Sequence, residues 1–135
     1  KIEGSGRLSG YLTYGTQKAL AAVTSMSQPR MQLTFSHVAE TGTGFFTGLA
    51  LLNTNAEPAT LTISVYKAGG QKIVTSNRIT IAANGQKVAL LHQLVGDIVK
   101  GQAGGYIVVQ SDLPIQGIEI FGTDTLSAMA NVPAQ

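Results

Sequence analysis

The chain has 135 residues, 44% of them hydrophobic and only 12% charged, a balance that excludes a disordered segment and suits one domain with its own core. Nine Lys and Arg stand against seven Asp and Glu, a net charge of +2, and no two basic residues are adjacent, so the dense footprint of a nucleic-acid or anionic-membrane binder is missing. Without cysteine there is no disulfide framework, Cys-ligated metal or thiol nucleophile, and no apolar stretch approaches the roughly 20 residues of a membrane helix.

The first seven residues, KIEGSGR, read as a flexible lead-in, and with no Met or signal peptide at Lys1 the chain reads as an excised or processed fragment. Residues 8–25 read as a hairpin: Leu8–Tyr14, a turn at Gly15–Lys18, then Ala19–Ser25. Residues 26–30 form a linker, with Pro29 unsuited to helix or central strand. Met31, Leu33 and Phe35 alternate with polar residues in a half-buried strand, and residues 40–44 are a loop. The dense run Phe45–Asn53 predicts a strand buried on both faces, followed by a turn cluster ending at Pro58. Leu61, Ile63 and Val65 alternate cleanly, and residues 68–71 close a hairpin onto Lys72–Ser76. Arg78–Ala82 is a further strand, and Asn84-Gly85 a turn. Val88, Leu91, Leu94 or Val95, and Ile98 keep helical spacing, which predicts one short helix near 88–98, limited by Gly96. After a loop at Gly101–Gly105 come a strand at Tyr106–Gln110, a turn at Asp112-Leu113-Pro114, a strand at Ile115–Phe121 and a last strand at Ser127–Val132. About eight short strands at regular spacing argue for an all-β fold, an antiparallel, immunoglobulin-like β-sandwich.

The start of the chain repeats its end. Gly10-Tyr11-Leu12-Thr13-Tyr14-Gly15-Thr16 matches Gly117-Ile118-Glu119-Ile120-Phe121-Gly122-Thr123 at an offset of 107 residues (117 − 10). After a turn two residues longer, Ala19–Val23 matches Ala128–Val132. A fixed period marks tandem modules, so residues 1–28 read as a lead-in plus the end of a preceding copy, and 29–135 as one complete module. A hairpin without its own sheet is marginal in water. It is expected to dock on the edge of the following module, with exchange between two chains as the second choice.

Candidate chemistry is sparse. His37 and Glu40 come closest to a catalytic or metal pair, but the only other histidine is His92 in the presumed helix, and a zinc site needs more ligands. His37 is read as ending a strand and bonding a loop backbone. Asp112 is expected to cap its turn. Glu119, between Ile118 and Ile120, is expected on the solvated face, free or paired with a Lys or Arg. Asp97 and Asp124 sit in or near turns. Neither a nucleophile elbow, a P-loop nor a dinucleotide fingerprint is present. Among the aromatic residues, Phe45 and Phe46 are expected to send one ring inward and one outward. With Tyr11 and Tyr14 of the hairpin, they are the candidate interaction residues. No catalytic residue, cofactor or metal is expected.

Residues 33–53 (LTFSHVAETGTGFFTGLALLN), 104–111 (GGYIVVQS) and 114–133 (PIQGIEIFGTDTLSAMANVP) resemble an uncharacterised bacterial repeat module found in tandem in secreted or cell-surface proteins. Phe35, His37, Phe45, Phe46, Thr47, Gly48, Ala50, Asn53, Ser111, Asp112, Pro114, Gly117 and Gly122 hold the places of its pattern. Ser36 stands where the pattern has Pro, and Phe-Phe replaces a Trp-rich pair. The resemblance implies an extracellular or surface location and a structural role as spacer, adhesive or assembly unit. The expected partners are neighbouring repeat modules, or a second chain through the N-terminal hairpin; the alternative is a carbohydrate-binding accessory domain of a secreted enzyme, with a polysaccharide as partner. Nucleic-acid binding and membrane insertion are not expected.

Overall fold

The computed structural model describes residue 5 and residues 11–24, 28–42 and 44–135. The rest of the lead-in, the first three residues of the predicted hairpin, Ser25, part of the linker and residue 43 of the predicted loop lie outside them. The described residues are all-β with one helix. In order they form β1 (Tyr11–Gly15), β2 (Leu20–Thr24), β3 (Arg30–Phe35), β4 (Ala39–Glu40), β5 (Phe45–Leu52), β6 (Ala59–Tyr66), β7 (Lys72–Thr75), β8 (Ile79–Ile81) and β9 (Gln86–Leu90). Helix α1 (Leu91–Val95) and a single 3-10 turn (Asp97–Val99) follow, then β10 (Gln102–Ala103), β11 (Tyr106–Thr123) and β12 (Met129–Pro133). No helix among the described residues is long and apolar enough to cross a membrane.

Strand β11 organises the molecule. Its first half pairs with β3 on one side and β6 on the other; its second half pairs with β12 and β5. Strands β7 and β8 extend the sheet from β6, and β9 extends it from β5. All these ladders are antiparallel, and together they make one eight-stranded sheet that curls through β11. The strand reads as two in the sequence because Asp112-Leu113-Pro114 looks like a turn. Instead the backbone stays extended, and the ladder to β3 shifts register between Gln110 and Ile115. Proline lacks the N–H that a regular ladder uses, so it fits where a strand leaves one set of partners for another. The Asp112 carboxylate caps no turn of its own; its Oδ1 accepts the Thr60 N–H of β6 at 2.7 Å.

Period-two alternation sets the core. Leu33 and Phe35 of β3, Leu61, Ile63 and Val65 of β6, and Ile107 and Val109 of β11 are fully buried. They share one cluster with Leu49 and Leu51 of β5, Ile115 of β11, and Leu91, Val95 and Val99 after β9. Strand β5 is not buried on both faces: Thr47, Leu49 and Leu51 point inward, while Phe46, Ala50 and Leu52 are only half-buried or exposed. The predicted helix is shorter than its spacing suggests. Val88 lies in β9 and is 62% exposed, and the helix runs only from Leu91 to Val95. The Leu90 N–H donates to Gln93 Oε1 at 3.0 Å as the chain turns from strand to helix, and Gly96 ends it.

Gly117 marks the point where both halves of the sheet press on β11. A Cβ there would lie 2.7 Å from Leu51 Cδ2 and 2.9 Å from Leu33 Cδ1. Both leucines are fully buried and have little room to turn away. Gly117→Val is therefore expected to cost about 1–3 kcal/mol by overpacking. Leu51→Ala should recover part of that loss in a double-mutant cycle read by urea unfolding; strictly additive losses would remove the proposed collision.

Candidate functional site

The phase of β11 decides the site. Ile107, Val109, Ser111, Ile115 and Gly117 are buried at odd positions, so Glu119 must also point inward. It is completely buried, contrary to the expectation of a solvated side chain. The isoleucines on either side, Ile118 and Ile120, turn outward and are half-buried. They form an apolar outer face with Phe46 and Leu52 of β5 and Val88 and Leu90 of β9. Gly48 leaves a shallow depression in it, between Phe46, Leu90 and Ile120. The ladders place no charged residue at any outward position of β5, β9, β12 and the second half of β11.

Inward, Glu119 meets His37. Its Oε1 lies 3.0 Å from His37 Nδ1, and the imidazole packs against the Phe121 ring with centroids 4.2 Å apart. Glu119 Oε2 is buried with no hydrogen-bond partner among the described residues. Burial raises the Glu119 carboxyl to about 8 and lowers His37 below its ordinary 6.5. Both directions favour a carboxylic acid O–H donating to a neutral imidazole over an ion pair. His37 thus lies just beyond β3, as expected, but its partner is a side chain of β11 rather than a loop backbone.

Glu40, the other half of the anticipated pair, goes elsewhere. Its Oε1 is 2.5 Å from His92 Nδ1 on α1, and its Oε2 accepts the Thr47 N–H at 2.9 Å. Thr47 Oγ1 in turn accepts the Ala39 N–H at 2.9 Å. These bonds tie β4, β5 and α1 together. The two histidine–glutamate contacts are separate, and no three His, Asp or Glu side chains converge as metal ligands among the described residues. Asp97 pairs with Lys100 at 2.9 Å, and Asp124 Oδ2 accepts the Gly44 N–H at 2.7 Å. Each of these carboxylates is thus committed to a local contact.

Of the four aromatic candidates, Phe45, Phe46 and Tyr14 have described side chains. Phe46 points outward and packs over Gly122, whose added Cβ would lie 3.1 Å from the ring. Phe45 has the inward phase but sits at the end of β5, 46% exposed and outside the core, so the inward-and-outward split is not what forms. Tyr14 is half-buried in β1, and its hydroxyl is enclosed without a partner among the described residues. Tyr11 pairs its backbone with Thr24; its side chain lies outside the described residues.

The hairpin β1–β2 reproduces the hairpin formed by the second half of β11 with β12. Tyr11↔Thr24, Leu12↔Val23, Thr13↔Ala22, Tyr14↔Ala21 and Gly15↔Leu20 correspond pair by pair to Ile118↔Pro133, Glu119↔Val132, Ile120↔Asn131, Phe121↔Ala130 and Gly122↔Met129. The turns share a device as well. The Thr16 N–H donates to Ala19 O while its hydroxyl accepts the Ala19 N–H; Thr123 does the same with Ala128. At Gly15 and Gly122 a Cβ would strike these same carbonyl oxygens. Strand β2 lies alongside β12 without a ladder. Ala19 and Ala21 are buried, and Thr16 Oγ1 donates to Leu126 O at 3.2 Å.

The inward Glu119, its His37 partner and the outward Val88 are what the sequence reading missed. The phase of Ile115 and Gly117 was the available signal for the first. Val88 was obscured because a strand passing directly into a helix kept helical spacing. No family model matches the chain, and no curated protein matches it. Among the solved structures similar in fold are the following two. A protein of Thermotoga maritima, 1070, superposes with a TM-score of 0.66 at 15% identity, over 82% of this chain and 96% of its own. The Anabaena sensory rhodopsin transducer does so with a TM-score of 0.52 at 20% identity, over 69% of this chain and 97% of its own. At these identities the likeness is one of fold.

Proposed function

We propose that this chain is a non-catalytic structural and interaction module, a spacer or assembly unit of a repetitive extracellular or surface protein. The observation that carries the reading is the duplicated hairpin: residues 11–24 repeat the pairing and turn chemistry of residues 118–133 in the same register. Shared residue classes alone do not require a shared register; a repeated structural unit does. The buried polar groups fit the same role. Glu40, His92 and Thr47 bond one another or the backbone, and a carboxylate held in that way is a strut rather than a reagent. The immunoglobulin-like sandwich is the finer reading of the fold, supported by the two halves of the curled sheet, whose buried residues share one core.

The test is a truncation. If the hairpin belongs to a preceding unit, residues 28–135 should keep their sheet by circular dichroism and unfold cooperatively. Their midpoint should fall by only a few degrees, because the hairpin adds about 1 kcal/mol of contact. A truncated chain that fails to fold would make the hairpin an integral part of this domain and remove the tandem reading. A hydrolase screen of the full chain should show no turnover; activity lost on His37→Ala would overturn the non-catalytic reading.

A further inference from the structure

We infer that the outward face of β5, β9, β12 and the second half of β11 is a sheet-to-sheet contact surface, and that its occupant is the same face of another copy of this module tethered in the same chain. The inference rests on the tandem reading and names the partner and the surface it uses. Its first support is the inverted pattern of β11. A sheet face left to water carries polar side chains at outward positions. Here Ile118 and Ile120 point out while Glu119 is buried; Gln86, Gln116 and Asn131 lie at the margins of the face, and no outward position carries a charge. Such a face has nothing with which to select a charged partner. It also offers a sugar only the half-buried Phe46 ring. Another uncharged sheet face suits it, because sheets pack face to face through interdigitating apolar side chains.

Shape points to a like partner. Val88 stands 62% exposed beside the depression at Gly48, so a knob and a hole lie on one face. A two-fold contact between identical surfaces needs that self-complementarity. Area selects a tethered copy over a free dimer. Four strands spaced about 4.8 Å apart, two of five and two of eight residues at about 3.4 Å each, present roughly 420 Å². A stable interface takes about 800 Å² from each partner. A contact of half that size is weak between free molecules, yet is occupied when a short linker raises the effective concentration to about millimolar.

The experiment is a dilution series of the intact, methyl-labelled chain by NMR, from about 0.05 to about 3 mM, the range in which so small an interface associates. The methyl signals of Val88, Leu90, Ile118 and Ile120 should move with concentration while those of Leu33 and Ile63 stay fixed. Val88→Lys, at an exposed edge position that leaves the core untouched, should abolish the movement; Ile120→Lys should do the same from the centre of the face. Signals that stay constant to the highest concentration overturn the inference, as does a movement that survives Val88→Lys. So does a soluble polysaccharide that shifts these methyls when dilution does not, since the occupant is then a sugar. Failure of the tandem reading shows separately, as a truncated chain that does not fold.

Discussion

Glu119→Gln is expected to flatten the pH dependence of stability above pH 6.5 and to leave the folded protein more stable than the parent at pH 9. The cause is a carboxyl raised from 4.5 to about 8 by burial. Between those values the folded chain holds a proton that the unfolded chain has released, so stability falls as pH rises, by about 1.4 kcal/mol per unit. His37 acts in the opposite sense. Its folded value lies below 6.5, so just under pH 6.5 the unfolded chain binds a proton that the folded chain refuses. The two slopes oppose each other there and cancel. Above 6.5 His37 is neutral in both states, and only the Glu119 slope remains. From pH 6.5 to about 8 the parent should lose about 2 kcal/mol through this group.

The variant carries the same shape without the ionisable group. A glutamine amide can donate to His37 Nδ1, now an acceptor in both chains, so the contact survives. Urea unfolding of parent and variant at pH 6, 7, 8 and 9 makes the comparison, and contributions common to both chains cancel in the difference. Parallel curves for the two proteins would mean that the folded Glu119–His37 pair holds no proton beyond those of the unfolded chain, with Glu119 already ionised beside a neutral His37.

Most of the strand pattern was legible because it is local. Leu61, Ile63 and Val65 alternate with polar residues, and the alternation alone places them in the core. The two hairpins of like register were legible for the same reason, since each arm and turn is a continuous stretch. What escaped depends on contacts far apart in the chain. Glu119 looks outward beside two isoleucines; only the phase fixed by Ile115 and Gly117 turns it in, toward a histidine 82 positions away. Glu40 and His92 lie 52 positions apart. The run from Val88 to Ile98 is periodic, but its first residues pair with β5, so tertiary pairing overrides the helical spacing. Pro114 looks like a break in the sequence, whereas it sits where β11 changes partners.

Asn53→Ala should cost about 3–5 kcal/mol, the largest loss expected from any single truncation outside the apolar core. Asn53 is fully buried at the end of β5. Its Nδ2 group donates to Glu57 O at 2.8 Å, Ala82 O at 3.0 Å and Ile81 O at 3.2 Å, two N–H groups shared among three carbonyls. Its Oδ1 accepts the Asn55 N–H at 3.0 Å and the Asn55 amide at 2.7 Å. One side chain thus joins the loop after β5 to the end of β8 and the turn before β9. Asn55 carries the link to Pro114 O at 2.9 Å, beside the register shift in β11. Removing the amide strands buried carbonyls at about 1–3 kcal/mol each, besides the bonds lost. Asn53→Asp is expected to be worse than Asn53→Ala although it keeps the shape. It would set a carboxylate oxygen against the three carbonyls in the place of the donor, and like partial charges at hydrogen-bond distance repel. In a fold worth about 5–15 kcal/mol, the Asp variant should be largely unfolded at neutral pH and should regain structure as acid protonates the new carboxyl. Thermal melts at pH 4 and pH 7 check this order. If Asp proves as stable as Asn at pH 7, the three-carbonyl contact is not what holds these loops together.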